Sequence, residues 1–187
     1  MKLKLMALCL PVLALGACGG ADTTNIATME SPVPVEVMSN AILSGETGSA
    51  DQAFVNLASA SDWYEIEAGK LAKVKATSQA LKDFGAMMET AHTESTAKLK
   101  AAAATANPAI LPDPALDAEQ GANLATLRDA TGSDFDNAYK AQQVNAHEKA
   151  LAAMKEYAAG GAVPQLRAFA AEASKVVQMH LDKIKSM

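Results

Sequence analysis

The sequence predicts an all-α protein, a bundle of four long helices with an additional short connecting helix. Half of the 187 residues are apolar but only 4% are aromatic, and alanine, which supplies much of the apolar count, favours closely packed helices over a sheet. Apolar residues recur with the helical period in four long segments, and no segment alternates as a strand would. The length suffices for one domain with a buried core.

Residues 1–17 are predicted to be a secretory signal that does not belong to the fold. Lys2 and Lys4 precede an apolar run, and the lipobox-like sequence LGAC ends at Cys18. The run is too short to span a membrane comfortably. The motif resembles that of bacterial lipoproteins, which implies that the signal is removed and that Cys18 is acylated.

Residues 18–48 are predicted to be a flexible tether, because they are rich in small and polar residues and have no sustained period. Gly19 follows the cysteine where an aspartate would favour retention in the inner membrane, and by resemblance this favours the outer membrane. We therefore expect a lipid-anchored protein in the cell envelope that faces the periplasm, with residues 49–187 as the bundle domain.

Charge and cysteine usage exclude several kinds of partner and site. Loss of Lys2 and Lys4 with the signal changes the formal net charge from −5 to −7, and an acidic protein without a basic block is not expected to bind nucleic acid. Cys9 leaves with the signal and Cys18 carries lipid, so neither a disulfide nor a thiolate metal ligand is expected. The sequence does not identify a protein partner.

The first two long helices form a predicted hairpin. Helix one begins at a capping box made by Ser49 and Gln52 and runs to about Ala76. Thr77 and Ser78 make a tight turn, and Ser78 begins helix two, which ends near residue 104. A proline-containing segment then breaks the chain.

The remaining elements are a short helix over about residues 115–130 and a second hairpin. Ser133 or Asp134 is predicted to cap helix four, which spans about residues 135–159. Gly160 and Gly161 end it, and Pro164 occupies the first turn of the last helix, where proline is tolerated.

Each long helix places one ionisable group on its buried face. These groups are Glu65, His92, His147 and His180. A carboxylate and three imidazoles on core faces are a reasonable ligand set for one Zn²⁺, Fe²⁺ or Cu²⁺ ion. At about 1.5 Å per residue, they occupy a common height if both hairpin turns share one end of the bundle. By this estimate His180 lies furthest from the common height, and it remains the worst fit if the connector instead crosses the length of the bundle.

Other interpretations remain open at this stage. The four groups can instead form a metal-free hydrogen-bonded network that fixes helix packing in a structural or partner-binding module. Glu89 and His92 have the Glu-x-x-His spacing of di-iron proteins, but Val144 and Val177 stand at the matching positions before the other histidines. Three methionines near the histidines are possible soft ligands for copper. They are Met87, Met88 and Met179.

Four blocks resemble a known family of exported bacterial proteins, domain of unknown function 4142. They are EIEAGKLAKVKA, LKDFGAMMETAHTESTAKL, FDNAYKAQQVNAHEKAL and MHLDKI, within residues 50–187. The resemblance implies a ferritin-like fold and a recurrent acidic residue and histidines, which correspond here to Glu65, His92, His147 and His180. It implies no established activity.

The sequence favours an exported lipoprotein whose bundle core binds one transition metal ion, for metal handling or stress protection in the envelope. The metal-free module described above is the alternative, and an oxidoreductase built on the same metal is a third interpretation. No nucleophile elbow, phosphate loop or dinucleotide fingerprint occurs in the sequence. Catalysis therefore has no positive support from motifs.

Overall fold

The computed structural model describes residues 47–187, with side chains from residue 50 onward. All regular structure in this part of the chain is helical. The helices are α1 (Thr47–Lys75), α2 (Gln79–Ala103), α3 (Ala118–Asp129), α4 (Gly132–Gly160) and α5 (Pro164–Lys185). The predicted all-α fold, with four long helices and one short connector, is confirmed. The predicted signal, acylated Cys18 and all but the last two residues of the predicted tether lie outside the described residues.

Two of the predicted signals at helix ends are confirmed in the first hairpin and at the start of the last helix. The Ser78 side chain accepts a hydrogen bond from the Leu81 backbone N–H at 3.3 Å, so it caps α2 as expected. Pro164 occupies the first turn of α5. These positions need only the local backbone geometry, which short sequence patterns predict well.

Three other helix starts differ from the prediction. The capping box at Ser49 is wrong, because α1 already begins at Thr47. The short helix begins later than predicted, at a capping box in which Asp117 and Gln120 bond each other's backbone N–H groups. The caps predicted at residues 133 and 134 are also wrong. Helix α4 starts at Gly132, whose φ of 58° favours glycine.

The bundle consists of two helical hairpins, α1–α2 and α4–α5, and α1 packs against α4 while α2 packs against α5. The Thr77 N–H in the first turn donates to Asp136 near the start of α4, at 3.0 Å. In the second turn, the Ala162 N–H donates to Asp51 near the start of α1, at 3.3 Å. The two turns therefore lie at opposite ends of the bundle. The segment containing α3 crosses its full length, and each long helix runs antiparallel to both of its neighbours.

Helices α1 and α2 approach closely where two glycines face each other. A Cβ atom added to Gly69 would lie 2.6 Å from the Gly85 carbonyl oxygen, and one added to Gly85 would lie 2.7 Å from the Gly69 oxygen. Any larger side chain at either position would push the helices apart. This contact lies nearer the first turn than the polar side chains described below, about one helical turn from Glu65 on α1 and two turns from His92 on α2.

The core consists of two apolar clusters. The cluster nearer the first turn includes Phe84, Phe135 and Tyr139, and the cluster nearer the second turn includes Phe54 and Tyr157. Phe54 and Tyr157 stack with ring centroids 3.8 Å apart. Among residues 47–187, no helix combines the length and the apolar character that crossing a bilayer requires.

Candidate metal centre

Four helices bury polar side chains in the interior of the bundle. The six residues are Asp62 and Glu65 on α1, His92 on α2, Gln143 and His147 on α4, and His180 on α5. Each is at most 8% exposed. Burying such groups costs free energy unless each finds a partner, so the partners of each group decide what this region can do.

The three histidines lie together, although they come from three different helices. Their ring centroids are 6.0 Å apart for His92 and His147, 5.8 Å for His92 and His180, and 5.6 Å for His147 and His180. One ring nitrogen of each lies within 4.8 Å of the corresponding nitrogens of the other two. The prediction that His180 is the worst fit is wrong. The two shortest of these centroid distances both involve His180, so it lies together with the other two histidines.

Hydrogen-bond partners determine which ring nitrogens are available. His92 Nδ1 lies 2.8 Å from Asp62 Oδ1, and His147 Nδ1 lies 2.8 Å from the Gln143 carbonyl oxygen. Both oxygens are acceptors, so both Nδ1 atoms carry the proton. In the neutral rings, each Nε2 atom then has a free lone pair, which is the form of imidazole that binds metals.

Three buried ring nitrogens lack a hydrogen-bond partner within the described part of the chain. They are His92 Nε2, His147 Nε2 and His180 Nδ1. Each histidine of the group thus offers one unsatisfied nitrogen. An unsatisfied buried polar atom costs about 1–3 kcal/mol. Three of them in one place would therefore destabilise the folded core considerably unless a ligand satisfies them.

Glu65, predicted as a ligand together with the histidines, lies next to this group and not within it. Its Oε2 atom accepts a hydrogen bond of 2.6 Å from Gln143 Nε2, and its Oε1 atom lies 3.7 Å from His147 Nδ1. That nitrogen is the one bonded to the Gln143 backbone carbonyl. The carboxylate therefore contacts Gln143 and the backbone-bonded nitrogen of His147.

The electrostatic surroundings shift the pKa values of the three imidazoles in different directions. Burial lowers the pKa of His147, and burial together with the neighbouring imidazoles lowers the pKa of His180 to about 3. Burial also lowers the pKa of His92, but the hydrogen bond to Asp62 and the charges of Glu65 and Asp62 outweigh it and raise the pKa above its usual value.

Sequence analysis missed two residues of this arrangement, Asp62 and Gln143. Asp62 stands three residues before Glu65, which places the two carboxylates about 60° apart on α1, close enough to share the buried side. Gln143 stands four residues before His147, one helical turn away on the same face. These spacings are visible in the sequence, but neither indicates a hydrogen bond to a histidine.

The residues present fit a transition metal ion that takes neutral imidazole ligands. Three nitrogen donors with an orienting partner behind two of them match the composition of three-histidine zinc sites. Nitrogens bound to zinc in tetrahedral geometry lie about 3.4 Å apart. The nitrogens in the structure are up to 4.8 Å apart, so they would move closer together when a metal ion binds. Imidazole also suits copper and iron.

The other ligands considered from the sequence lie elsewhere. Glu89 forms an ion pair of 2.7 Å with Lys73 at the surface, so it does not complete a di-iron site with His92. Met88 is fully buried in the apolar cluster near the first turn, Met87 packs against the same cluster, and Met179 is 56% exposed. None of the three methionines is part of the group that the three histidines form.

The comparisons with known proteins yield one match. The model of the family described as Domain of unknown function (DUF4142) matches residues 38–187. No curated protein and no solved structure matches the chain. The matched range includes every residue of the histidine group and both carboxylates beside it.

Proposed function

This chain belongs to the DUF4142 family, whose description assigns no activity, and we propose from its geometry that it binds a single transition metal ion through His92, His147 and His180. The observation that carries the proposal is that three buried histidines lie together, with one nitrogen of each within 4.8 Å of the others, and that each has a buried ring nitrogen without a partner among the described residues. One metal ion would satisfy all three nitrogens at once. A fully bonded polar network, the alternative predicted from the sequence, would leave no such nitrogens.

The residues behind the ligands support the same assignment. Asp62 accepts from His92 Nδ1, and the Gln143 carbonyl oxygen accepts from His147 Nδ1. Such partners hold a ligating ring in orientation and raise its basicity. Glu65 is 1% exposed, and its buried negative charge offsets part of the charge of a divalent cation. In this proposal Glu65 is a positioning residue.

We further propose that the protein acts in the cell envelope, in metal handling or protection against stress, anchored to the outer membrane by lipid on Cys18. The support is the lipobox-like sequence and the glycine that follows it. A Cys18→Ala variant tests the anchor. We expect the wild-type protein in the membrane fraction and the variant in the soluble fraction, and equal fractionation of both would contradict the anchor.

Metal analysis of protein purified without a histidine tag tests the proposed site. We expect about one equivalent of bound metal, and we expect added Zn²⁺, Fe²⁺ or Cu²⁺ to raise the melting temperature of metal-free protein. A His92→Ala/His180→Ala variant should lose both the bound metal and the shift, because it keeps only one of the three nitrogens.

A Tyr157→Phe variant is the matched control, since it removes a buried polar atom in the other half of the core. It should retain the metal even if it is less stable. Absence of bound metal in the wild type, with no melting shift for any of the three ions, would contradict the proposal and support the metal-free module.

A further inference from the structure

A cavity of about 470 Å³ adjoins the histidine group. Asp62, His92 and His180 line one part of it, and the remaining walls come mainly from α2 and α5. The volume lies within the range of sites that bind small organic molecules. Because two of the three histidines line the cavity, it provides a route from the surface of the bundle to the proposed metal.

The walls of the cavity beyond the histidines are mostly apolar. They include Ala91, Ala150, Met154, Phe169, Ala173 and Val177. Exposed Glu94, Lys98 and Glu172 also belong to the lining, so the cavity reaches the surface among charged side chains. A mainly apolar cavity with a few convergent polar groups at one place is typical of ligand-binding sites.

A metal ion held by three protein ligands also has a coordination position free for another ligand. Structural zinc sites use four protein ligands, whereas sites with three keep one position open for water or a substrate. The group of ligand atoms that lie together consists of three histidines and does not include Glu65. The fourth position is therefore not taken by a side chain of this arrangement, and the cavity is the space next to it.

We propose that the cavity binds a small organic molecule with an apolar body and one metal-coordinating head group. The head would occupy the open position on the metal, and the body would pack against the alanine, valine and phenylalanine side chains between α2 and α5. This inference rests on the proposed metal site and adds a class of ligand to it. A site that only stores an ion would not need an apolar cavity of this size beside it.

Two hydroxamates with the same head group test the proposal in titrations of the Zn²⁺-loaded protein. Benzohydroxamate carries an apolar ring, and acetohydroxamate carries only a methyl group. We expect benzohydroxamate to bind about ten-fold more tightly, because burial of the ring is favourable. Metal-free protein should bind neither compound measurably.

An Ala173→Phe variant should remove this preference by filling the cavity, and Zn²⁺ binding, measured separately on the variant, should persist because all three histidines are intact. Ala173 lies seven residues before His180 and lines the cavity. Ala97→Phe is the matched control, because Ala97 is exposed and does not line the cavity. This control should keep the ten-fold preference. The comparison of the two compounds on the wild-type protein does not depend on either variant.

The possible results separate the two proposals. Zn²⁺ binding with equal affinity for both hydroxamates, or a preference that Ala173→Phe does not change, would overturn the ligand cavity and leave the metal site intact. Failure of the wild-type protein to bind Zn²⁺, Fe²⁺ and Cu²⁺ would overturn the metal site and this inference with it.

Discussion

Two buried polar sites in this bundle differ in one respect, whether their atoms are satisfied. Near the second turn, Asp51 Oδ1 accepts hydrogen bonds from the Tyr157 hydroxyl and from the Ala162 N–H. Burial and the neighbouring carboxylate raise the pKa of Tyr157, so the phenol keeps the proton that it donates. In the middle of the bundle, three histidine nitrogens have no partner among the described residues.

The difference distinguishes a structural clamp from a ligand site. The Asp51 clamp joins the start of α1 to the end of α4 and to the second turn, and the atoms named above are all paired. In the histidine group, Asp62 and the Gln143 carbonyl accept hydrogen bonds from the Nδ1 atoms of two rings. However, one nitrogen of each of the three rings has no hydrogen-bond partner among the described residues. Burial alone does not separate the two sites, because both are nearly inaccessible to solvent.

The largest expected effect is on the clamp. Asp51→Leu should lower the free energy of unfolding by about 3 kcal/mol, because the buried Tyr157 hydroxyl loses its acceptor and the partly buried hydrogen bond from the Ala162 N–H is lost as well. Urea denaturation measures the change. Asp51→Asn keeps an acceptor oxygen and should cost clearly less, and equal stability of Asp51→Leu and the wild type would contradict the description of the clamp.

The second expected effect concerns the support behind His92. Asp62→Ala should weaken Zn²⁺ binding about 10–100-fold, because the imidazole loses the partner that orients it and raises its basicity. Competition with a chelator of known affinity measures the change. Asp51→Asn serves as the control, since it changes a buried carboxylate outside the histidine group. Unchanged Zn²⁺ affinity in Asp62→Ala would show that Asp62 does not act through His92.

The third prediction concerns His180, where we expect a substitution to preserve or raise the stability of the metal-free protein but to abolish metal binding. His180→Leu replaces an unpaired buried ring with an apolar side chain, so the metal-free variant should be within about 1 kcal/mol of the wild type or more stable. The same variant should lose the melting shift with Zn²⁺. Strong destabilisation of the metal-free variant would mean that His180 is a structural residue like Tyr157.

The smallest expected effect is the dependence of the stability of the metal-free protein on pH. The pKa of folded His180 is lowered to about 3 by burial, His92, His147 and Lys183, so below its usual pKa of 6.5 only the unfolded chain takes up this proton. Stability should therefore fall as pH falls from about 6.5 towards 3. His147, whose pKa is also lowered, acts in the same direction.

Between pH 7 and 6, we expect His180 to contribute about 0.7 kcal/mol to this loss. The raised pKa of His92 acts in the opposite direction, with stability lost as pH rises through that raised value. Thermal melts of wild type and His180→Leu across this range isolate the His180 contribution. A variant that melts with the same pH slope as the wild type would contradict it.

The sequence by itself predicted the helices and the buried positions of the site. Apolar residues repeat every three to four positions, and this period fixes which side of a helix faces the core, so His92, His147 and His180 could be assigned to buried faces without any knowledge of neighbours. Among the local signals, Ser78 and Pro164 were predicted correctly, whereas the caps at Ser49, Ser133 and Asp134 were wrong, since a suitable side chain does not by itself fix where a helix begins.

Only the tertiary structure decided how these faces meet. The height of one helix against another depends on the crossing of the α3 segment and on the close contact of Gly69 with Gly85, which are contacts between distant parts of the chain. The packing of the four long helices brings His180 to the other two histidines, Asp62 to His92 Nδ1, and Glu65 to within 3.7 Å of His147 Nδ1. Helical periodicity gives each side chain a direction around its own axis, whereas its partners depend on positions along axes that no single segment encodes.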